Sequence, residues 1–169
     1  MRRQSIWIGT IIVATGAAAY VGKVFATPAS GFMGTTLAVG RFDGIDAANR
    51  SHVPGDGAPW HSRQRANGPS DLYVQNNTWA PGGTTGWHTH PGHSLIIVTA
   101  GSVTAYEGHD PSCTPHVYTA GMGFVDEGGD HVHVLRNEGA VEARTVAVQL
   151  IPAGATRRID AEANPACPF

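Results

Sequence analysis

Past Lys23 this 169-residue chain has no lysine, and charged residues of both signs make up only 14% of it. Removing Arg2, Arg3 and Lys23 with an N-terminal segment leaves eight cations, all arginine, against 13 carboxylates, a formal charge of −5. An acidic surface without a basic patch argues against nucleic acid or an anionic membrane surface as a partner. Aromatic residues are scarce at 8%, and no stretch beyond the N-terminal segment keeps a helical period, which excludes a helical bundle. There is no P-loop, no dinucleotide-binding glycine pattern and no nucleophile elbow around a serine. Cysteine is limited to Cys113 and Cys167. In an oxidising compartment the simplest reading is one disulfide tying the C-terminal tail to the D-P-S-C-T-P segment. Two free thiols, or a Cys113–His116 metal pair, are the alternatives.

Glycine and proline are abundant, at 22 and 11 residues, and suit many short strands joined by tight turns. The N-terminus reads as an export segment. Arg2 and Arg3 precede an uncharged run from Ser5 to Gly22, and Val24-Phe25-Ala26 offers small residues in a cleavage pattern. The expected cut follows Ala26, with Ala29 as second choice. The alternative is a retained anchor, with residues 5–22 as a membrane tether. Either way the globular part is expected to be secreted or extracytoplasmic.

Four parts follow from the patterning. Residues 1–26 are the signal or anchor. Residues 27–70 are an irregular arm, with short strands at Thr35–Val39 and Arg41–Ile45, that packs on the domain or on a partner subunit. Residues 71–152 form the β-domain, and 153–169 a tail. Within the β-domain, strands are expected at Leu72–Trp79, Gly86–His90, Ser94–Thr99, Ser102–Tyr106, His116–Tyr118, Gly123–Val125, His131–Leu135 and Glu142–Ile151. Each is bounded by Gly, Pro or Asp. This spacing predicts an all-β antiparallel barrel or sandwich.

The chain has nine histidines, and their placement carries the chemistry. His88-Thr89-His90 is an H-x-H, and His131-Val132-His133 repeats it about 40 residues later. On a strand, residues i and i+2 face the same way, so each pair can present two parallel imidazoles. Two such strands facing one interior can gather three or four imidazoles on a borderline divalent ion: Fe, Zn, Mn, Ni or Cu. Three imidazoles leave coordination positions open, as catalytic metal sites require. His131 is read as a rim residue, with an acid–base role inside the cavity as the alternative. Asp126, Glu127 and Asp130 are read as solvated turn residues, with orientation of an imidazole N–H as the alternative. His52, His61, His109 and His116 are read as surface or arm positions. Tyr73, Trp79, Trp87 and Phe124 are read as core.

These residues resemble the cupin family. Its first motif, G-x5-H-x-H-x3,4-E-x6-G, is reproduced by Gly82, His88, His90, Ser94 and Gly101, with serine replacing the glutamate. Its second motif survives as His133 and Asn137 in H-V-L-R-N; Asp130 stands where the last glycine belongs, and the proline is missing. The resemblance spans roughly 72–151. It implies a double-stranded β-helix, a jelly-roll-like barrel, with the metal inside and His88, His90 and His133 as ligands. It also implies a homodimer, as such barrels often form. Serine is a poor ligand for these ions, so His93 is a candidate fourth ligand through the Pro91-Gly92 turn. A three-histidine site and loss of the metal are the alternatives. The functional expectation is an exported metal-binding protein acting on a small molecule, as a dioxygenase-like oxidoreductase. A non-catalytic ligand-binding module, or a metal-dependent isomerase or lyase, is the alternative. No catalytic residue beyond the metal ligands is assigned.

Overall fold

The computed structural model describes residues 27–52 and 59–169. The signal or anchor reading of residues 1–26, with its tether at 5–22, therefore lies outside the described residues. Among those described there is no helix. The strands are β1 (Ser30–Phe42), β2 (Ile45–His52), β3 (Pro59–Ala66), β4 (Ser70–Thr84), β5 (His88–Thr89), β6 (Ser94–Ala100), β7 (Ser102–Glu107), β8 (His116–Thr119), β9 (Gly123–Asp126), β10 (His133–Arg136), β11 (Ala143–Pro152) and β12 (Ile159–Asp160). The fold is all-β, as expected.

Ten strands form one antiparallel sheet that nearly closes on itself. One wall runs β1-β4-β11-β6-β9 and the other β12-β5-β10-β7-β8. They join where Thr84 of β4 pairs with Arg136 of β10. Alternation explains the walls. On β6, Ser94, Ile96 and Val98 are buried while Leu95 and Ile97 face out. On β11, Ala143, Thr145, Ala147 and Gln149 point inward. The core between the walls gathers Trp79, Ile96, Val103, Ala105, Leu135, Ala143 and Ala147, with Phe32 stacked 5.0 Å from Trp79. Asn77 and Gln149, inward, buried and polar, line a cavity instead of filling it, and Asn77 donates to the buried Thr145 Oγ1 at 3.2 Å.

A second cluster of Trp87, Tyr106, Val134 and Cys167 lies under the tail. It explains why Val134 is buried although its neighbours His133 and Leu135 occupy the inward positions. Cys113 and Cys167 form the expected disulfide, 54 residues apart. Asn164 reinforces it, donating to the carbonyls of Glu107 (3.0 Å) and Asp110 (2.7 Å). Phe169 packs edge-on against Tyr106, with the Arg136 guanidinium 4.0 Å over its ring.

The arm is more regular than its sequence indicates. Instead of two short strands, β1 is a single 13-residue strand paired along β4 from Ser30↔Thr84 to Phe42↔Ser70. Asp43-Gly44 interrupts it before β2. The apolar alternation is faint because β1 is an edge strand exposed along most of its length. Arg41 anchors it to buried Asp71, which also accepts the Gly154 N–H at 2.9 Å. β2 and β3 form a separate hairpin, from Ile45↔Ala66 to His52↔Pro59, whose described residues are nearly all exposed. His52 and His61 lie on it. Across the outer face of the first wall, strand register aligns Val125, Leu95, Val148, Val74 and Ala38 in one apolar row, with Val125 and Leu95 more than half exposed.

Candidate metal centre

β5 and β10 are short, and their pairing sets His88 opposite His133. The H-x-H spacing then brings His90 onto the same side as His88. The rings lie 4.5 Å (His88–His133), 4.7 Å (His88–His90) and 5.6 Å (His90–His133) apart, centroid to centroid. One nitrogen from each of the three lies within 4.8 Å of the other two.

Each ring is oriented from behind. The Nδ1 of His88 contacts the Gly86 carbonyl at 2.9 Å, that of His90 the Arg157 carbonyl at 2.5 Å, and that of His133 the His131 carbonyl at 3.3 Å. A carbonyl oxygen only accepts, so each Nδ1 points to its carbonyl as the donor. Backbone acceptors behind metal-ligating imidazoles act in this way. Burial, then the neighbouring His133 and His90, pushes the His88 pKa down to about 2. Burial also lowers that of His90, against the opposing pull of Asp126. Three imidazoles that converge one nitrogen each can serve a divalent ion, so the donor set fits the implied group.

Asp126 ends β9 and pairs in register with Ser94 of β6. Reading it as a solvated turn residue is incorrect, because the side chain is buried. Alternation along β9, with Val125 outward and Phe124 and Asp126 on the other parity, was the available signal. Its Oδ1 accepts the Gly128 N–H at 3.1 Å and lies 3.5 Å from His133 Nδ1. Its Oδ2 lies 3.3 Å from His90 Nε2 and receives no hydrogen bond among the described residues. Gly128 permits this approach. It has φ +69°, and a Cβ there would meet the Gly92 carbonyl oxygen at 2.3 Å. Gly129 adds an N–H to the His90 carbonyl at 2.7 Å.

His93 stands apart from the three converging histidines. It shares the parity of Leu95 and Ile97, which face outward, and its carbonyl accepts the Leu150 N–H at 3.0 Å. Among the described residues the cluster is His88, His90 and His133 without it. His131 is exposed at the rim, paired to Glu127 Oε2 at 2.9 Å. Glu127 and Asp130 are exposed, as are His109 and His116. Asn137 is structural. It is buried, donates to the carbonyls of Trp79, Ala80 and Val141, and accepts the Gly139 N–H.

Two cavities meet at this cluster. One, of about 270 Å³, is lined by the three imidazoles, Ser94 and Trp79, by the amides Gln75, Asn77 and Gln149, and by Arg157 and Arg158. The other, of about 560 Å³, opens beyond His133 and Asp126 and carries Glu107, Glu127 and Asp130. One mouth is therefore cationic and the other anionic. Arg157, from the tail, was not identified from sequence. Its guanidinium donates to Gln149 Oε1 (2.9 Å), Thr36 Oγ1 (3.1 Å) and Gln75 Oε1 (2.7 Å), and sits 4.1 Å over the Tyr73 ring. Three of its five N–H groups are satisfied by neutral acceptors, and two remain.

Residues 77–149 match the family model described as the cupin domain. Solved structures that this chain is similar to include an oxalate oxidase, at 24% identity over 48% of this chain and 46% of that one, TM-score 0.41. A cupin superfamily protein from Desulfitobacterium hafniense is 12% identical over 47% and 67%, TM-score 0.41. A predicted oxalate decarboxylase from Thermotoga maritima is 16% identical over 50% and 83%, TM-score 0.40. The chain spans about half the length of the oxalate oxidase it matches. No curated protein matches it.

Proposed function

We propose that this chain, whose residues 77–149 form a cupin domain, is an exported metal-dependent oxidoreductase acting on a small anionic molecule. The observation that carries this reading is the convergence of the His88, His90 and His133 nitrogens, each ring held from behind by a backbone carbonyl. A divalent ion bound there would supply a Lewis acid and, for a redox-active metal, access to oxygen chemistry.

The chain's own residues supply the rest. The three imidazoles would hold such an ion, and the carbonyls of Gly86, Arg157 and His131 orient their rings. Arg157 presents a rigid cation at the cavity mouth, pinned by neutral partners and so not neutralised by a carboxylate. That charge favours a substrate bearing a carboxylate or enolate. Trp79 lines the same cavity, and its buried Nε1–H has no acceptor among the described residues. It offers a donor to the substrate.

The Cys113–Cys167 disulfide supports an oxidising compartment and thus export. The outward row of Val125, Leu95, Val148 and Val74, exposed at Val125 and Leu95, offers a homodimer a surface to form on. A non-catalytic metal binder would be better served by a closed site, whereas here a cavity adjoins the imidazoles.

The test is oxygen uptake by protein loaded with Fe(II), Mn(II) or Cu(II) and supplied with a panel of small carboxylates, diketones, thiols and phenols. Uptake dependent on both metal and one substrate class is expected. No uptake with any metal across the panel refutes the oxidoreductase reading.

A further inference from the structure

The smaller cavity lies between two walls of different character. The imidazoles stand on β5 and β10, and the opposite side is furnished by Gln75 and Asn77 of β4 and Gln149 of β11. A carboxamide has a donor end and an acceptor end, and the end that meets a ligand decides what is bound. Arg157 settles this choice. A guanidinium only donates, so the atoms facing its Nε and Nη2 are oxygens, Gln149 Oε1 at 2.9 Å and Gln75 Oε1 at 2.7 Å. Gln75 then turns its Nε2 to Asn77 Oδ1, and Asn77 gives its Nδ2 to Thr145 Oγ1 at 3.2 Å. All three amide oxygens are taken within the wall. Gly34 leaves room for this line, because a Cβ there would meet Gln75 Nε2 at 2.5 Å.

Gln149 is the member of this wall whose nitrogen is unused. Its residue is 4% exposed, and with Oε1 held by Arg157 its Nε2 has no acceptor among the described residues. Strand register sets Gln149 beside Ser94, and Ser94 beside Asp126, in one inward row across β11, β6 and β9. Asp126 in turn lies 3.3 Å from His90. Gln149 therefore stands two strand spacings, roughly 10 Å of backbone, from the edge of the imidazole cluster. A small molecule can span that gap with one end at the histidines. We propose that Gln149 Nε2 reads the substrate's end remote from the three histidines, and that this end is a carboxylate or similar oxyanion, with acceptors and no proton to give.

Arg157 is the positioning residue of this device. An unrestrained glutamine turns its oxygen or its nitrogen to suit the ligand. Here a turned Gln149 would set its NH2 against the guanidinium, donor to donor, and lose a hydrogen bond in a buried place. The wall thus keeps one polarity. A carboxylate answers it with two oxygens. A carboxamide of the same shape answers with one, and its own NH2 finds no amide oxygen left in the wall to accept it. Selectivity comes from the direction of the amides as well as from the charge of Arg157.

This inference rests on the reading of a small anionic substrate, and its test needs no metal. Metal-free full-length protein is titrated with propanoate and with propanamide, which share one shape, at about pH 7, where propanoate is ionised. Binding is followed through the protein's amide resonances. The set is the native chain, Gln149→Met and Gln149→Glu. The native chain should prefer propanoate by about tenfold or more, with the side-chain resonances that vanish in Gln149→Met among those that shift. Gln149→Met keeps the charge of Arg157 and loses the N–H groups, so the preference should fall to about threefold or less. Gln149→Glu keeps an oxygen for Arg157 and replaces the donor by an acceptor, so the preference should vanish or reverse. A native chain that binds both probes equally, or neither, overturns the proposal. So does native preference retained in Gln149→Met, which would leave selection to the charge of Arg157 alone. If Gln149→Met does not fold, the same ratio in Gln149→Glu decides. Zn(II) content after loading, read by elemental analysis, keeps the two readings apart. Zn(II) held by the native chain without a propanoate preference sinks only the Gln149 assignment, and a preference without bound Zn(II) sinks only the metal site.

Discussion

Two antiparallel pairings in this molecule stand in contrast. The β2–β3 hairpin has eight cross-strand pairs in unbroken register and buries almost nothing. The β5–β10 pairing has a single register pair, His88↔His133, and both residues are buried. The long ladder has hydrogen bonds without a core, and an isolated two-stranded ribbon is marginal in water. The short ladder is clamped by β12, by the tail cluster under Val134 and by the turn around Gly128. Ligand geometry here depends on burial from several directions rather than on ladder length. Small displacements on β5 or β10 would separate the imidazoles, whereas the hairpin carries none of them.

Four substitutions or conditions would break or sharpen this contrast. The largest effect is expected from His133→Ala, which removes one of three converging nitrogens. Elemental analysis of purified protein should show stoichiometric metal lost, while His109→Ala, on the exposed rim, retains it. Equal metal in both variants would mean that the short pairing builds no site.

Reduction of the Cys113–Cys167 disulfide comes next. Releasing a 54-residue loop should lower stability by on the order of 4 kcal/mol in the chain-entropy view. Calorimetry with and without reductant reads it. Because the tail carries Arg157, whose carbonyl orients His90, metal affinity should weaken along with the melting temperature. Weakened stability with unchanged affinity would show that the tail does not support the site.

The metal-free protein should also lose stability in acid. The folded pKa of His88 is depressed to about 2, and that of His90 is lowered too, both mainly by burial. Below an unfolded value near 6.5 the unfolded chain binds protons that the folded chain does not. Stability is therefore fully present above that pH and falls as pH drops, approaching about 1.4 kcal/mol per pH unit from His88, with His90 adding in the same direction. Thermal melts over the first unit below pH 6.5 test this. His88→Gln should flatten the slope, and a slope unchanged in that variant would place its origin elsewhere. The smallest effect is expected from replacing residues 45–66 by a short glycine link. The melting temperature should stay within about 2 °C, with metal content unaltered. A large drop would mean that the hairpin is covered in solution and contributes more than its own ladder.

Legibility from sequence followed burial in the same way. β6 and β11 were readable because one face of each meets the core, and alternation at period two survives wherever one face alone is buried. The arm was not readable as one long strand, because β1 is an exposed edge that needs no apolar period. The H-x-H at His88 and the single His133 were readable because spacing on a strand maps directly onto a face. His93 misled because adjacency along the chain reverses at each residue of a strand, so it falls on the opposite parity from Ser94. Asp126 was mistaken for solvent-facing because a glycine-rich turn of acidic residues is ordinarily on the surface. Only the close approach at Gly128 turns this one inward.

By itself, the order of residues determined the all-β class, the candidate histidines and the cysteine pair, since these depend on local period and on residue chemistry. Tertiary structure alone decided that the tail's Arg157 reaches the cavity mouth and orients His90, that Asp126 faces an imidazole, and that Asn137 is a structural pin. Each of these depends on contacts between segments 30 to 80 or so residues apart, and such contacts leave no trace in local periodicity. They appear only when the two walls close and fix which distant backbone lies behind which side chain.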